Sequence, residues 1–436
     1  MSSRRRFITL GILALTLAVA ALGASFYLRL QGSGGPAALA QYKTPQEAGN
    51  IYVRFEMEAY DTIVDNYWQQ ATDSQMAELF QLSLEKAAAS SSVWLPAPTR
   101  AGTAAMLAAA FNSATSSEAE RELAVNTLIV ALYNLAPAGR DQLLSQAQET
   151  QLRQEVSNVN PGTDLYGNLG VSASATPQQI DAAYAAKAAA ATTSGQKQQL
   201  SYAKQVLTNQ NDKARYDAAH IEPTVFAHVI GNTLYLYISQ MAPTTVQEFA
   251  EAVDAASTTP DLTSMILDLR GNIGGALEAA QYFIGLWQGQ NQYAFDLFHQ
   301  GEYQVQRTAV PQFPELARYK EIAVLTDQMT QSTAEVTAAA FMRLHLGFTV
   351  GSTTRGWGSV ENTYPLKTQI ATDTSYALLL VNSLTLRPDN QPIEGNGVVP
   401  DVAVSGKNWR NELSAYFDSS SLIAAIEKTV TQPPLK

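Results

Sequence analysis

The stretch Glu321-Ile-Ala-Val-Leu-Thr-Asp-Gln-Met-Thr-Gln-Ser-Thr-Ala-Glu-Val-Thr-Ala-Ala-Ala-Phe-Met-Arg343 constrains this chain more than any other. Ile322 to Leu325 is a short apolar run that predicts a buried strand; a polar turn follows, and Ser332 opens an alanine-rich run with helical spacing. A serine at such a strand-to-helix turn suits a nucleophile, because the free N–H groups of the first helical turn would stabilise a developing oxyanion. A plain helix start fits the same residues. Ser332-Thr-Ala-Glu335 is a capping box, in which the serine side chain takes an N–H of the first turn and Glu335 reaches back to the serine N–H.

A second strand-turn-helix lies upstream in Met265-Ile-Leu-Asp-Leu-Arg-Gly-Asn-Ile-Gly-Gly-Ala-Leu-Glu-Ala-Ala280. From about Glu222 the pattern alternates. Thr224 to Ile230 and Thr233 to Ser239 predict a hairpin across Gly231-Asn232, Val246 to Ala256 a helix, Leu262 to Leu269 a strand and Leu277 to Trp287 a helix. Strands alternating with helices imply a largely parallel sheet, whose sites form at the carboxyl ends of the strands. Both the Gly271–Gly275 turn and Ser332 fall there.

Downstream lie Val350-Gly-Ser-Thr-Thr-Arg-Gly-Trp-Gly358 and Pro392-Ile-Glu-Gly-Asn-Gly-Val-Val-Pro-Asp-Val-Ala-Val404. In this order and spacing the segments resemble the tail-specific, or carboxyl-terminal processing, serine protease family. The likeness covers the core from about 221 to 404 and the N-terminal helical segment. It implies an α/β core, no cofactor, a polypeptide substrate and Ser332 as nucleophile. It also implies an oxyanion hole built from a backbone N–H of the Gly274-Gly275 turn together with that of Thr333.

A serine hydroxyl needs a base within hydrogen-bond reach, and here the chain departs from the family. The family's lysine, in a Gly-Lys-Gly some two dozen residues after the serine, aligns with Trp357 in Gly356-Trp-Gly358. The glutamine expected shortly after it aligns with Glu361. A distant branch takes a histidine from an upstream turn, which here is Leu135-Ala-Pro-Ala-Gly139 and offers only Ala138. Glu361, with its pKa raised by desolvation, Lys367 and His228 remain as substitutes; a guanidinium holds its proton, so Arg355 does not qualify. Two functions follow. One is a serine peptidase cutting extracytoplasmic polypeptides; the other is a catalytically silent homologue that binds peptides or partner proteins in the same groove.

Composition narrows the partners. A net charge of −11, with no basic patch beyond the first residues, argues against nucleic acid. The absence of cysteine removes disulfides and thiol chemistry, and His220, His228, His299 and His345 show no metal-ligand spacing.

Arg4-Arg-Arg6 precedes an apolar run from Phe7 to Leu28, long enough to cross a bilayer, with positive charge on its amino side. A cleaved signal peptide ending near Ala38-Leu-Ala40 is the competing reading. The expected architecture is α/β and membrane-anchored: a cytoplasmic tip and anchor over 1–29, a linker over 30–45, N-terminal helices over 46–160, a J-like hairpin over 161–220 and the core over 221–436. The large domain is expected outside the cytoplasm, at the cell membrane. The J-like segment is carried by Asp164-Leu-Tyr-Gly-Asn-Leu-Gly-Val-Ser172, Ala175 to Tyr184, Tyr202 to Leu207 and Lys213-Ala-Arg-Tyr-Asp217. These pieces resemble the J domain of DnaJ-type co-chaperones, but Ala191-Thr-Thr-Ser-Gly195 stands where that family has His-Pro-Asp. The resemblance therefore implies packing or recognition, and no chaperone partner.

Overall fold

A computed structural model describes residues 43–90, 92–111 and 117–436. The apolar run Phe7–Leu28, the cleavage box and most of the linker lie outside the described residues. Among the described residues no helix is long and apolar enough to cross a membrane. In chain order the strands are β1 Gln142–Ser145, β2 Val225–Ile230, β3 Thr233–Ile238, β4 Ser264–Asp268, β5 Tyr293–His299, β6 Glu302–Arg307, β7 Glu321–Thr326, β8 Phe348–Gly351, β9 Ser359–Pro365, β10 Tyr376–Thr385 and β11 Val402–Ala403.

The chain forms two compact units, and they cut across the boundaries expected from sequence. Among the described residues, the first gathers those from 43 to 151 together with 295–306 and 358–394; the second gathers 152–294, 307–357 and 395–436.

In the first unit, helices Ile51–Asn66, Asp73–Ala87, Arg100–Ala110 and Ser117–Tyr133 pack with a sheet in the order β1-β10-β5-β6, β9 also pairing β10. The periodic residues Phe55, Ala59, Ile63 and Tyr67 are buried, with Leu378, Leu380 and Val381 of β10 in the same core. One edge of β10 is paired by β1 over Tyr376–Leu379 and by β5 only at Leu384 and Thr385. Between these pairings, Val381 donates its N–H to Asp141 Oδ1 at 2.7 Å and accepts the Trp68 N–H at 2.9 Å. The Asp141 side chain thus stands in for a missing strand.

The second unit holds a six-stranded sheet in the order β11-β8-β7-β4-β3-β2, parallel except for the β2–β3 hairpin. Every residue of β3 and β4 is buried, as a strand covered on both faces requires. One face packs helices Thr245–Ala256, Leu277–Gln288 and Thr333–Arg343, whose Phe249, Phe283, Trp287 and Phe341 rings meet tilted or edge-to-face with centroids 4.8 to 6.1 Å apart. The other buries Tyr235, Tyr237, Leu422 and Ile426 against helix Ser420–Thr429.

The same unit carries helices Leu165–Leu169, Pro177–Ala190, Ser194–Thr208 and Gln210–Ala219, with a small core of Leu165, Leu169, Ile180, Val206, Leu207 and Tyr216. The two long helices run antiparallel, since Lys204 pairs with Asp181 at 3.0 Å near the far end of the hairpin. Arg215 fastens this segment to the sheet's flanking helix through Glu251, at 3.0 Å. Tyr202 packs its ring on Phe226 of β2, 6.2 Å between centroids.

Candidate active site

β7 ends at Thr326 and the helix begins at Thr333, so Ser332 occupies the cap position at the carboxyl end of the parallel sheet. Its backbone is strained. φ is 56° and ψ −128°, a region that side chains other than glycine rarely enter and that costs about 1–3 kcal/mol. Asp327 holds the turn from below, Oδ1 accepting the N–H groups of Gly271, Met329 and Thr330 at 3.0, 2.9 and 2.9 Å.

The glycine turn lies directly against this serine. A Cβ at Gly274 would fall 2.5 Å from Ser332 Cβ and 3.0 Å from its Oγ, and φ there is 84°, so the contact requires glycine twice over. Gly274 is not an open donor, however. Its N–H is taken by Asn272 Oδ1 at 2.8 Å, because the fully buried Asn272 side chain folds back over the turn while its Nδ2 donates to Ile238 O at 2.8 Å. Gly275 and Thr333 differ in this respect. Neither N–H has an acceptor among the described residues, and the Thr333 hydroxyl donates to Gly275 O at 3.0 Å, so the two residues touch. The expected pair of donors therefore reduces to Gly275 and Thr333.

Glu335 is wholly buried and has a larger role than a cap. Oε2 accepts the Ser332 N–H at 2.9 Å and the Trp357 N–H at 2.7 Å; Oε1 accepts the Gly356 N–H at 2.7 Å and the Thr354 hydroxyl at 2.5 Å. Burial pushes this carboxyl up, against the four donors that hold it down. Thr354 in turn accepts the Val398 N–H at 2.7 Å, and Gly395 donates to Gly356 O at 2.9 Å. The three motif segments read from sequence thus converge on one carboxylate.

The substitutes for the base fall differently. His228 lies on β2, three strands from β7 and so about 14 Å across the sheet. Its half-buried ring packs beside Tyr235, 6.2 Å between centroids, and burial lowers its pKa; it is a strand histidine and no partner for Ser332. Lys367, in the first unit, is exposed, and its backbone N–H donates to Glu58 Oε1 at 2.6 Å. Glu361 lies on β9 of the same unit, where it accepts the Ser359 hydroxyl at 2.6 Å and burial raises its pKa. Arg140 and Glu394 pair beside it at 2.9 Å. The Ser332 hydroxyl has no side-chain hydrogen-bond partner among the described residues.

Residues 232–404 match the family model described as Peptidase family S41. Over these residues the chain is similar to a peptidase family S41 core. Over 200 residues the chain is 25% identical to the "Probable CtpA-like serine protease" of Staphylococcus epidermidis, a match covering 46% of this chain and 39% of that protein. The corresponding protein of a second strain is 24% identical over the same share. The chain thus matches well under half the length of these curated relatives. Among solved structures, a lipoprotein from Streptococcus agalactiae is 13% identical with a TM-score of 0.46, covering 87% of this chain and 99% of that one. The photosystem II D1 C-terminal processing protease is also 13% identical, with a TM-score of 0.47 and coverage of 83% and 93%. The S41 match spans the glycine turn, Ser332, Glu335 and Trp357 alike.

Proposed function

We propose that this chain is a membrane-anchored serine peptidase of the carboxyl-terminal processing type, acting on extracytoplasmic polypeptides with Ser332 as nucleophile. The strained backbone of Ser332, pressed against Gly274 beside the open N–H groups of Gly275 and Thr333, carries this reading. Holding a serine at positive φ costs stability that a simple helix cap does not require. In the reaction, the Ser332 oxygen bonds to the scissile carbonyl carbon while the two N–H groups receive the charge that develops on the carbonyl oxygen; the C–N bond then breaks, the amine leaves with the proton given up by the hydroxyl, and water hydrolyses the acyl ester to free the serine. The apolar run Phe7–Leu28 supplies the anchor, Arg4 to Arg6 keep its amino end in the cytoplasm, and the J-like hairpin serves packing or recognition.

One observation favours a second reading. Trp357 stands at the lysine position and cannot accept a proton, and the Ser332 hydroxyl lacks a side-chain partner among the described residues. On that reading the groove binds chain ends or partner proteins without cutting them. Incubating the purified chain with an unfolded protein and with a fluorophosphonate probe separates the two. Cleavage and labelling that both vanish in Ser332→Ala establish the peptidase; neither in wild type establishes the silent binder.

A further inference from the structure

The segment that follows helix Ser420–Thr429 is gripped by the residue that opens the glycine turn. Arg270 is buried, and its guanidinium commits Nε and Nη2 to the wholly buried Asp268 and Nη1 to Val430 O at 2.9 Å and Gln432 O at 2.8 Å. Val430 is the helix C-cap, where a cation satisfies the last carbonyls. Capping ends there, but the grip continues. Gln432 O lies beyond the helix, Leu435 donates its N–H to the Tyr235 hydroxyl at 3.1 Å, and Tyr235 in turn donates to Asp268 Oδ2. The Lys436 ammonium rests 5.6 Å from the centre of the Tyr237 ring. These hydrogen bonds all use the backbone of 430–436, while the side chains of Thr431, Gln432 and Pro433 are exposed.

The grip passes from Arg270 to the serine turn through the backbone. Its neighbour Gly271 donates its N–H at 3.0 Å to Asp327 Oδ1, the oxygen that also holds Met329 and Thr330. Asn272 O accepts the Gln331 N–H at 2.9 Å, one residue before Ser332. A buried guanidinium stripped of two acceptors would turn toward water, and the Asp268–Arg270 bracket is where the glycine turn begins.

We propose that 430–436 is a strap: by saturating Arg270 it holds the Gly271–Gly275 turn in the arrangement that leaves the Gly275 and Thr333 N–H groups open beside Ser332, and its release loosens that turn. Arg270 is thus a positioning residue, acting through the turn. Because the strap is held by its backbone, it tolerates changes of side chain but not removal. This inference rests on the proposed function only in taking the turn as the oxyanion-binding element.

The test compares hydrogen exchange of the Gly271, Gly274 and Gln331 amides, each hydrogen-bonded in the turn, with that of helix Thr245–Ala256 in the same unit. Deleting 430–436 from the full chain should speed the turn amides about tenfold and leave the helix unchanged. Arg270→Lys keeps the charge but cannot serve Asp268 and two carbonyls at once, and should do the same. Leu435→Pro removes only the N–H to Tyr235; it should give a smaller rise in the same amides, and it carries the test if the shortened chain does not fold. Gln432→Ala should match wild type. Turn amides that stay slow in these strap and Arg270 variants, a rise shared equally by the helix, or a Gln432→Ala effect as large as the deletion overturns the proposal. Fluorophosphonate labelling of Ser332 should slow in step with the exchange, and a labelling rate untouched by the deletion also overturns it. If wild type takes no label, the peptidase reading alone fails and the exchange result still decides the strap.

Discussion

Ser332 and Trp357 donate their backbone N–H groups to the same atom, Oε2 of Glu335, at 2.9 and 2.7 Å. The residue at the family's lysine position is therefore set beside the serine by a carboxylate, whatever side chain it carries. Glu335→Gln keeps the size and removes the charge and one acceptor oxygen, leaving buried donors unpaired at about 1–3 kcal/mol each. Urea unfolding should show a loss of about 2–4 kcal/mol. A change below about 0.5 kcal/mol, the range of ordinary surface substitutions, would refute the bracket.

Strain at Ser332 predicts an inverted stability order. Ser332→Ala keeps the positive φ, whereas Ser332→Gly relieves it, so the glycine variant should be about 1 kcal/mol more stable than the alanine variant despite its freer unfolded chain. Melting curves of the two variants decide it. An alanine variant at least as stable as the glycine would mean that the turn relaxes in solution.

The close approach of Gly274 gives a sharper contrast. Gly274→Ala places a methyl 2.5 Å from Ser332 Cβ and 2.9 Å from Gln331 O, and should cost about 2–4 kcal/mol and abolish any labelling of the serine. Gly162→Ala, with nothing within 4 Å, is the matched control and should leave both unchanged.

The sequence revealed the second unit better than the first, and the reason is physical. The β2–Gly231-Asn232–β3 hairpin and the Ile322–Arg343 strand-turn-helix are specified by residues close in sequence, so their periodicity is visible. The sheet around β10 draws partners from residues 142–145, 293–299 and 359–365, and its register is fixed only once those distant segments meet. In the candidate site, the capping box correctly placed Glu335 under the Ser332 N–H. Its bonds to Thr354, Gly356 and Trp357 follow from tertiary packing that no local pattern encodes. The choice of Gly275 over Gly274 as open donor likewise hangs on the fold of one asparagine, Asn272.

Asp141 predicts a pH dependence. Burial pushes its carboxyl from 3.8 up to about 7, the Val381 N–H opposing and the neighbouring Glu361 adding to the rise; Oδ2 is buried without a partner. A carboxyl raised on folding favours the folded state while protonated. That contribution is complete below about pH 4 and is lost as pH rises through 7, at up to ~1.4 kcal/mol per unit. Arg140, Glu394, Glu361 and Tyr67 face the same region, so the measurement is a difference between proteins. Asp141→Asn keeps an acceptor for Val381 and should gain on wild type steadily between pH 4 and 7. Parallel stability curves would assign the slope to other groups.

Should wild type prove silent, restoring a base matters more than removing the serine. Trp357→Lys puts an amine at the end of a loop already bracketed to Ser332, and slow cleavage should appear once burial keeps that amine neutral. The rate should rise with pH as the amine loses its proton. A Trp357→Lys protein that folds and never cuts would show that the lysine alone is not what this groove lacks.

The threading of the chain between its two units bears on how the protein is made. The N-terminal helices emerge first but bury their apolar faces against Leu366, Leu378, Leu380 and Val381, which belong to residues 358–394. Until that late segment arrives, the helices are a sticky intermediate, kept from neighbours only by the time synthesis takes. Slowing elongation anywhere in 152–294 should therefore raise aggregation of the nascent chain, and expressing the segment from residue 221 onward alone should strand β10 without the helices that cover it.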